Sequence, residues 1–152
     1  MTIELVRRDP NGRANGSTPG LNEIGEKLFA NSAGVNVTTS GSYITVATIT
    51  LTAGVWLVSG IAAFNPGGIV GCTGILMAIS STTNAADSVS LNNLSQLSFT
   101  TTPANANYQT IGPRYVVVST PTSYFLVGRA NFTTVNSANW DANSSIQAIR
   151  IA

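Results

Sequence analysis

Few side chains in this 152-residue chain could carry out chemistry. Beyond residue 31 the only carboxylates are Asp87 and Asp141, the minimum for the acid and base of a glycosidase. Each lies in a stretch rich in Asn, Ser and Ala, where a solvated turn residue is the ordinary interpretation. The absence of histidine excludes the commonest general base, the Ser-His-Asp triad and most zinc sites. The sequence therefore predicts a protein that is not an enzyme and holds no metal or cofactor.

A second kind of chemistry, sugar binding, is conceivable at Trp140 and Asp141. An aromatic ring beside a carboxylate can stack on a sugar face and hydrogen-bond its hydroxyl groups. The competing interpretation, which we favour, is that Trp140 folds back to cap the core or lies in a subunit interface. Trp56 stands inside an apolar run and is predicted to be a core residue.

Charge is concentrated at the N-terminus. Eight of the thirteen charged residues lie within the first 27 positions, and none occurs from Leu28 to Ala86. Soluble monomers usually carry charge on about a quarter of their residues, so this body is expected to bury surface between subunits or to face a harsh exterior. Three N-terminal arginines are candidates for docking to an acidic groove on a partner, although a solvated arm explains them equally well: Arg7, Arg8 and Arg13.

Several partner classes are disfavoured by composition. Only three arginines follow Lys27, which argues against nucleic acid, since phosphate binding needs clustered basic residues. The longest apolar runs, 55–64 and 69–79, are too short to cross a membrane, and residues 1–22 do not resemble a signal peptide. Cys72 lies alone in an apolar run, which predicts a small buried hydrophobic residue rather than a reactive thiol.

The elements that must position these residues begin with an arm. Residues 1–20 are dense in turn formers such as Asn15-Gly16 and Pro19-Gly20, which predicts an extended segment. Fully stretched, its 20 residues would span roughly 65 Å, enough to cross a neighbouring subunit. Leu21, Ile24 and Leu28 share one helical face and allow one or two helical turns, which Gly25 weakens. We assign residues 1–31 to an N-terminal anchoring arm.

Residues 32–152 form the predicted body. Short β-rich runs separated by turns favour an all-β fold, a jelly-roll-like antiparallel β-sandwich of about eight strands. Runs 43–51 and 55–64 are expected to form a hairpin. Run 69–79 lacks alternation and would bury both faces, which favours an oligomer in which a neighbouring subunit covers it. The predicted strands are 43–51, 55–64, 69–80, 88–99, 108–111, 114–119, 123–132 and 144–152.

Three segments of this body resemble small bacteriophage fibre-tip and head-surface domains. The segment from Tyr43 to Gly60 resembles their first hairpin, that from Arg114 to Phe132 their penultimate hairpin, and 146–151 their last strand. The resemblance covers roughly residues 35–152. It implies a homotrimer of jelly-roll, or complement-C1q/tumour-necrosis-factor-like, sandwiches around a three-fold axis, and it transfers no functional residue.

The resemblance further implies a structural protein of the virion, synthesised in the host cytoplasm and located on the particle surface. We expect a capsid decoration or head-fibre protein that binds the major capsid protein or another virion protein through its arm. The alternative is a receptor-binding tip or short tail fibre that contacts host surface polysaccharide. Decoration is favoured because this chain has room for neither a shaft nor a long tail-binding domain.

Overall fold

A computed structural model of the chain describes residues 21–87, 94–100, 105–134 and 138–152. Regular structure in these residues is entirely β. The described residues contain no helix long and apolar enough to cross a membrane. The strands are β1 (Lys27–Asn31), β2 (Val35–Asn36), β3 (Tyr43–Leu51), β4 (Gly54–Asn65), β5 (Gly74–Ser80), β6 (Leu94–Ser98), β7 (Asn107–Val118), β8 (Thr122–Asn131), β9 (Asn139–Trp140) and β10 (Ser145–Arg150).

The strands form two antiparallel sheets packed face to face. The first sheet has the strand order β1-β10-β4-β7. The short strand β9 also pairs with the last two residues of β4, and β2 pairs with β9. The second sheet runs β3-β8-β5-β6. With the two-residue strands set aside, the first sheet holds the first, eighth, third and sixth strands of the chain, and the second sheet holds the second, seventh, fourth and fifth. This is jelly-roll order, so the predicted all-β sandwich is confirmed.

The predicted hairpin between runs 43–51 and 55–64 is wrong. β3 pairs with β8 in the second sheet, whereas β4 pairs with β10 and β7 in the first. Leu51 and Trp56 are both fully buried. Each strand therefore turns an apolar face to the interior of the sandwich, β3 from the second sheet and β4 from the first. The penultimate hairpin fails for the same reason, since β7 and β8 also lie in different sheets.

The helical turns expected near residues 21–29 are absent from the structure. Asn22 and Gly25 have φ angles of 63° and 87°, left-handed values that a right-handed helix does not contain. β1 then begins at Lys27 and pairs with β10, so the predicted domain boundary at residue 32 falls after the first strand rather than before it. Residues 1–20 lie outside the described residues, and the arm stays a prediction.

β7 is one continuous strand where two short ones were predicted. Val58 pairs with Arg114 and Gly60 with Ile111, so Gly112 and Pro113 together oppose Ser59 in a bulge. Among the described residues β4 is the only strand that pairs with β7. A proline is tolerated at such a bulge on an edge strand because its missing N–H costs no ladder hydrogen bond.

The core lies between the sheets and is closed within one chain. Its largest fully buried side chains are Trp56, Trp140 and Phe64. β5 is buried at all seven positions, so the expectation that run 69–79 needs a neighbouring subunit to cover it is wrong for this part of the run. Cys72 is 2% exposed, as predicted for a small buried hydrophobic residue.

Candidate docking site at the arm root

The point where the N-terminal segment joins the sandwich is held by a buried ion pair. Arg150 is the last residue of β10, and Glu26 immediately precedes β1, which pairs with β10. Arg150 Nε donates to Glu26 Oε2 over 3.1 Å, and the two side chains are only 6% and 5% exposed. Backbone hydrogen bonds reinforce the pair: Arg150 N donates to Glu26 O over 2.9 Å, and Gly25 N donates to Arg150 O over 2.8 Å.

The remaining donors of Arg150 reach the corner between β3 and β4. Nη1 donates to the Ala53 carbonyl over 2.6 Å, and Nη2 donates to Thr52 Oγ1 and, over 3.3 Å, to Asn22 Oδ1. The guanidinium carbon lies 4.6 Å from the centre of the Trp56 ring, within cation–π range. A buried charge is stabilised when it is paired and hydrogen-bonded. Arg150 meets this condition and joins the arm root, the corner and the core, whereas Oε1 of Glu26 is buried without a hydrogen-bond partner.

We call these residues the Arg150 lock: Asn22, Glu26, Thr52, Ala53 and Arg150. Gly54 makes room for it, because a Cβ at this position would lie 2.2 Å from Arg150 Nη1 and 2.9 Å from the Ala152 carbonyl oxygen. Glu26 Oε2 also accepts the Asn22 backbone N–H over 2.7 Å. Residues 22–26 are therefore held against the sandwich, and the place from which residues 1–20 leave it is set.

Neither Glu26 nor Arg150 was predicted to be a functional residue. The position of Arg150 could have been predicted, because alternate residues of a strand share one face. Arg150 lies on the same face of β10 as Ile146 and Ala148, whose side chains point into the core. No corresponding signal exists for Glu26, whose burial depends on the register between β1 and β10.

A second ion pair closes one edge of the sandwich. Arg114 on β7 donates from Nη1 to Asp87 and, over 2.8 Å, to the Ile79 carbonyl at the end of β5. Asp87 also accepts from Ser80 Oγ over 2.8 Å and from Ser81 N over 3.0 Å. Burial by itself raises the pKa of Asp87, but these hydrogen bonds and the Arg114 charge outweigh it and hold the pKa below the ordinary value of 3.8.

The two carboxylates considered for catalysis have separate structural partners. Asp87 is bound in the edge ion pair with Arg114. Asp141 Oδ1 accepts both the backbone N–H and the side-chain amide of Asn143, over 2.8 and 2.7 Å, as a turn residue does. Neither arrangement resembles a glycosidase pair. Among the described residues no three Asp, Glu, Cys or His side chains converge as metal ligands.

Trp140 does not offer the sugar platform considered in the sequence analysis. Its side chain is fully buried, and its ring centre lies 5.0 Å from that of Phe64. β9 pairs with the end of β4 and turns the indole into the core, where it lies against Gly128. The proposed glycan contact of Trp140 and Asp141 is therefore corrected: the ring has no face open to a ligand.

A small polar cleft lies beside the start of β3. Asn84, at φ 53°, is held there by its side-chain oxygen, which accepts the Thr45 N–H over 2.7 Å. The Arg129 guanidinium lies 5.1 Å from the centre of the Tyr43 ring. The cleft has a volume of about 210 Å³ and is lined by Val37, Thr38, Thr39, Ser42, Tyr43, Ile44 and Asn84.

Comparisons with known proteins give a likeness in fold only. No protein-family model and no curated protein matches the chain. It is similar to two solved structures of infectious bursal disease virus, from the Gx and Gt strains, each with 11% sequence identity and a TM-score of 0.48. The similarity covers 92% and 93% of this chain but 36% and 38% of the viral chains. This chain thus spans little more than a third of their length, and the jelly-roll assignment rests on its own strand order.

The N-terminal arginines considered for docking cannot be placed on this geometry. Arg7, Arg8 and Arg13 lie outside the described residues. Their role as partner contacts stays a prediction, and the described structure supplies the root to which their segment is attached.

Proposed function

We propose that this chain is a non-enzymatic structural protein of a bacteriophage particle, of the capsid-decoration or head-fibre type. In this proposal it is synthesised in the host cytoplasm, forms a homotrimer and is bound to the particle surface through residues 1–20. The major capsid protein or another virion protein is the partner. The observation that carries the proposal is the Arg150 lock.

The lock bears on function because an anchor is useful only when it is mechanically joined to the body. Arg150 lies on β10, which is hydrogen-bonded on both sides, to β1 and to β4. A pulling force on the arm root is therefore transmitted to the first sheet and, through Ala53, to the corner that connects β3 with β4. A loosely tethered tail would need no buried charge at its root.

The charge distribution supports the same proposal. Residues 1–20 hold three arginines and two carboxylates, Glu4 and Asp9, whereas residues 28–86 hold no charged side chain. Guanidinium groups bind carboxylates through paired hydrogen bonds, which suits an acidic groove on a capsid subunit. The trimer and the particle location come from the resemblance to phage surface domains, of which only the last strand, 146–151, is found where expected, as β10.

Deletion of residues 1–19 tests the anchor. The truncated chain should stay folded and soluble and should no longer bind phage particles that lack the protein. A matched pair sharpens the test: replacing Arg7, Arg8 and Arg13 by Gln should weaken particle binding, whereas replacing Glu4 by Gln and Asp9 by Asn should not. Binding that survives the deletion would place the contact on the β body and contradict the anchor.

A second candidate function is a receptor-binding tip or short tail fibre that contacts host surface polysaccharide. The cleft beside Tyr43 favours it, since an aromatic ring among hydroxyl and amide groups is suited to one sugar ring. Tyr43→Ala should then reduce adsorption to host cells, while Thr48→Ala, at an exposed position of the same strand, should not. Copy number separates the two functions: dozens to hundreds of chains per particle indicate the head, and a few trimers indicate the tail.

A further inference from the structure

We propose that the outer face of the first sheet is a self-association surface that is buried against a second copy of this chain. In β4, Trp56 and Val58 are fully buried, so strand alternation turns Leu57 and Ser59 to the outside. Across β1, β4, β7 and β10 the same alternation turns six exposed apolar side chains to this face: Phe29, Ile61, Tyr108, Tyr115, Val117 and Ile149.

The register shows that these side chains form a continuous surface. Ile149 pairs with Leu57, and Leu57 pairs with Tyr115, which makes an apolar row across β10, β4 and β7. In the next row Phe29 pairs with Gln147, whose amide donates to Ser59 Oγ over 3.1 Å. Neighbouring side chains in such rows touch, so the face is one patch rather than scattered residues.

The outer face of the second sheet is different. Of the eleven large apolar side chains that are exposed in the described residues, six lie on the first face. On β3, an edge strand of the second sheet, the exposed outward residues are Thr48 and Thr50. A sheet face that meets water is normally polar. In the central strands of the second sheet the outward apolar residues Leu76 and Val127 are already buried within the chain, whereas the first face leaves six apolar side chains exposed, which indicates that the first face is covered in the working protein.

Charge indicates what covers it. The only charged residue among the outward positions of β1, β4, β7 and β10 is Lys27, at one corner. A strongly charged partner would find no complementary group here, whereas a second copy brings the same apolar, uncharged patch. The centres of protein interfaces are depleted of charge in this way.

The size and the edges of the face fit the same occupant. With strands about 4.8 Å apart and about 3.3 Å of rise per residue, the four strands present roughly 550 Å². Two copies together would bury about 1,100 Å², near the lower bound for a specific interface. The free edge of β7 is interrupted by the bulge at Pro113, which disfavours association by strand addition along that edge.

This inference rests on the proposed function, because it names a surface through which the chain associates with itself. The same patch lies on both copies, so the contact is two-fold and pairs chains rather than closing the proposed three-fold ring. Its test needs no phage particle. Sedimentation of the full chain should show an oligomer, and the double variant Tyr115→Glu/Val117→Glu should dissociate, with a dissociation constant raised by roughly 100-fold or more. The matched control is Thr48→Glu/Thr50→Glu, which adds the same charge to an edge strand of the other sheet and should leave the oligomer intact.

Circular dichroism checks that both variants remain folded, as expected from the exposure of Tyr115 (62%) and Val117 (67%). A wild-type chain that stays monomeric up to its highest soluble concentration would overturn the inference. Two other results would also overturn it. One is an oligomer that does not dissociate in the Tyr115→Glu/Val117→Glu variant, and the other is a monomeric wild-type chain whose particle binding is lost in this variant. If the chain forms the oligomer but does not bind particles through its arm, only the proposed function is contradicted. If the oligomer is a dimer, only the proposed trimer is contradicted.

Discussion

The indole of Trp140 occupies the space that a side chain at position 128 would take. A Cβ on Gly128 would lie 2.3 Å from Trp140 Cε2 and 2.4 Å from Cζ2, far inside van der Waals contact. Trp140 belongs to the first sheet and Gly128 to the second, so this contact joins the two sheets. The glycine is therefore a packing requirement and not a flexible point in β8.

Gly128→Ala is predicted to destabilise the protein by about 2–3 kcal/mol, because the added methyl group must displace a fully buried ring. Chemical denaturation measures the loss. Gly112→Ala is the matched control, since a Cβ there would meet nothing within 4 Å, and its effect should stay within about 0.5 kcal/mol.

A second variant separates this clash from a general intolerance of alanine in β8. Trp140→Phe removes Nε1 and Cζ2, two of the atoms nearest the new methyl group. In that background Gly128→Ala should cost much less than in the wild type. Equal costs in both backgrounds would show that the indole is not the obstacle.

Arg150→Met is predicted to lower the free energy of unfolding by about 3–5 kcal/mol, because it leaves Glu26 buried without its counter-charge. The double variant Glu26→Leu/Arg150→Met should recover much of that loss, since no unpaired charge remains. Urea denaturation of the three proteins measures the coupling. Lys27→Met, an exposed neighbour of the lock, is the control and should be nearly neutral.

The edge ion pair predicts a pH dependence. Because the pKa of Asp87 is lower in the folded state than in the unfolded chain, its contribution is present above the unfolded value, about 3.9. It is lost as pH falls through the lower folded value. Asp87→Asn should therefore cost about 1–2 kcal/mol near neutral pH, and the difference from wild type should shrink below about pH 4.

Denaturation curves from neutral pH to pH 2 check this sign. In an Arg114→Gln background the pH-dependent part of the Asp87→Asn effect should become smaller, because the arginine supplies a hydrogen bond and the charge. A wild-type advantage that grows as the pH falls would contradict the assignment.

Cys72 is predicted to react slowly with a thiol reagent in the native protein. Burial raises the pKa of its thiol, and a backbone hydrogen bond with Gly74 lowers it by less, so little thiolate forms near neutral pH. Ellman's reagent should label it rapidly only in denaturant. Thr48→Cys supplies an exposed thiol for comparison, and equally fast labelling of native Cys72 would show that the site opens.

The strands could be predicted from the sequence better than their partners. Run 43–51 coincides with β3, and run 55–64 is β4 less one residue at each end, because β-branched and aromatic residues mark strands locally. The pairings of β3 with β8 and of β4 with β10 join segments far apart in the chain. A turn such as the one at residues 52–53 fits a hairpin or a corner between sheets equally well.

The candidate site was predictable only in part. Clustered N-terminal charge indicated an anchor, but no sequence feature distinguished Glu26, which is 4% exposed, from the other charged residues of that cluster. Its burial requires Arg150, 124 positions away in the chain, and no local rule joins the two. Burial of Trp140 was the favoured interpretation and is confirmed, although its polar sequence neighbours also allowed a sugar contact. The space for its ring depends on the absence of a side chain at Gly128, which the sequence did not indicate.

The position of β10 between β1 and β4 has a consequence for how the protein is made. In the described structure β1 pairs with no strand other than β10, so the first strand cannot dock until residues 145–150 have left the ribosome. The Arg150 lock forms at the same moment. Until then the nascent chain has no fixed arm root.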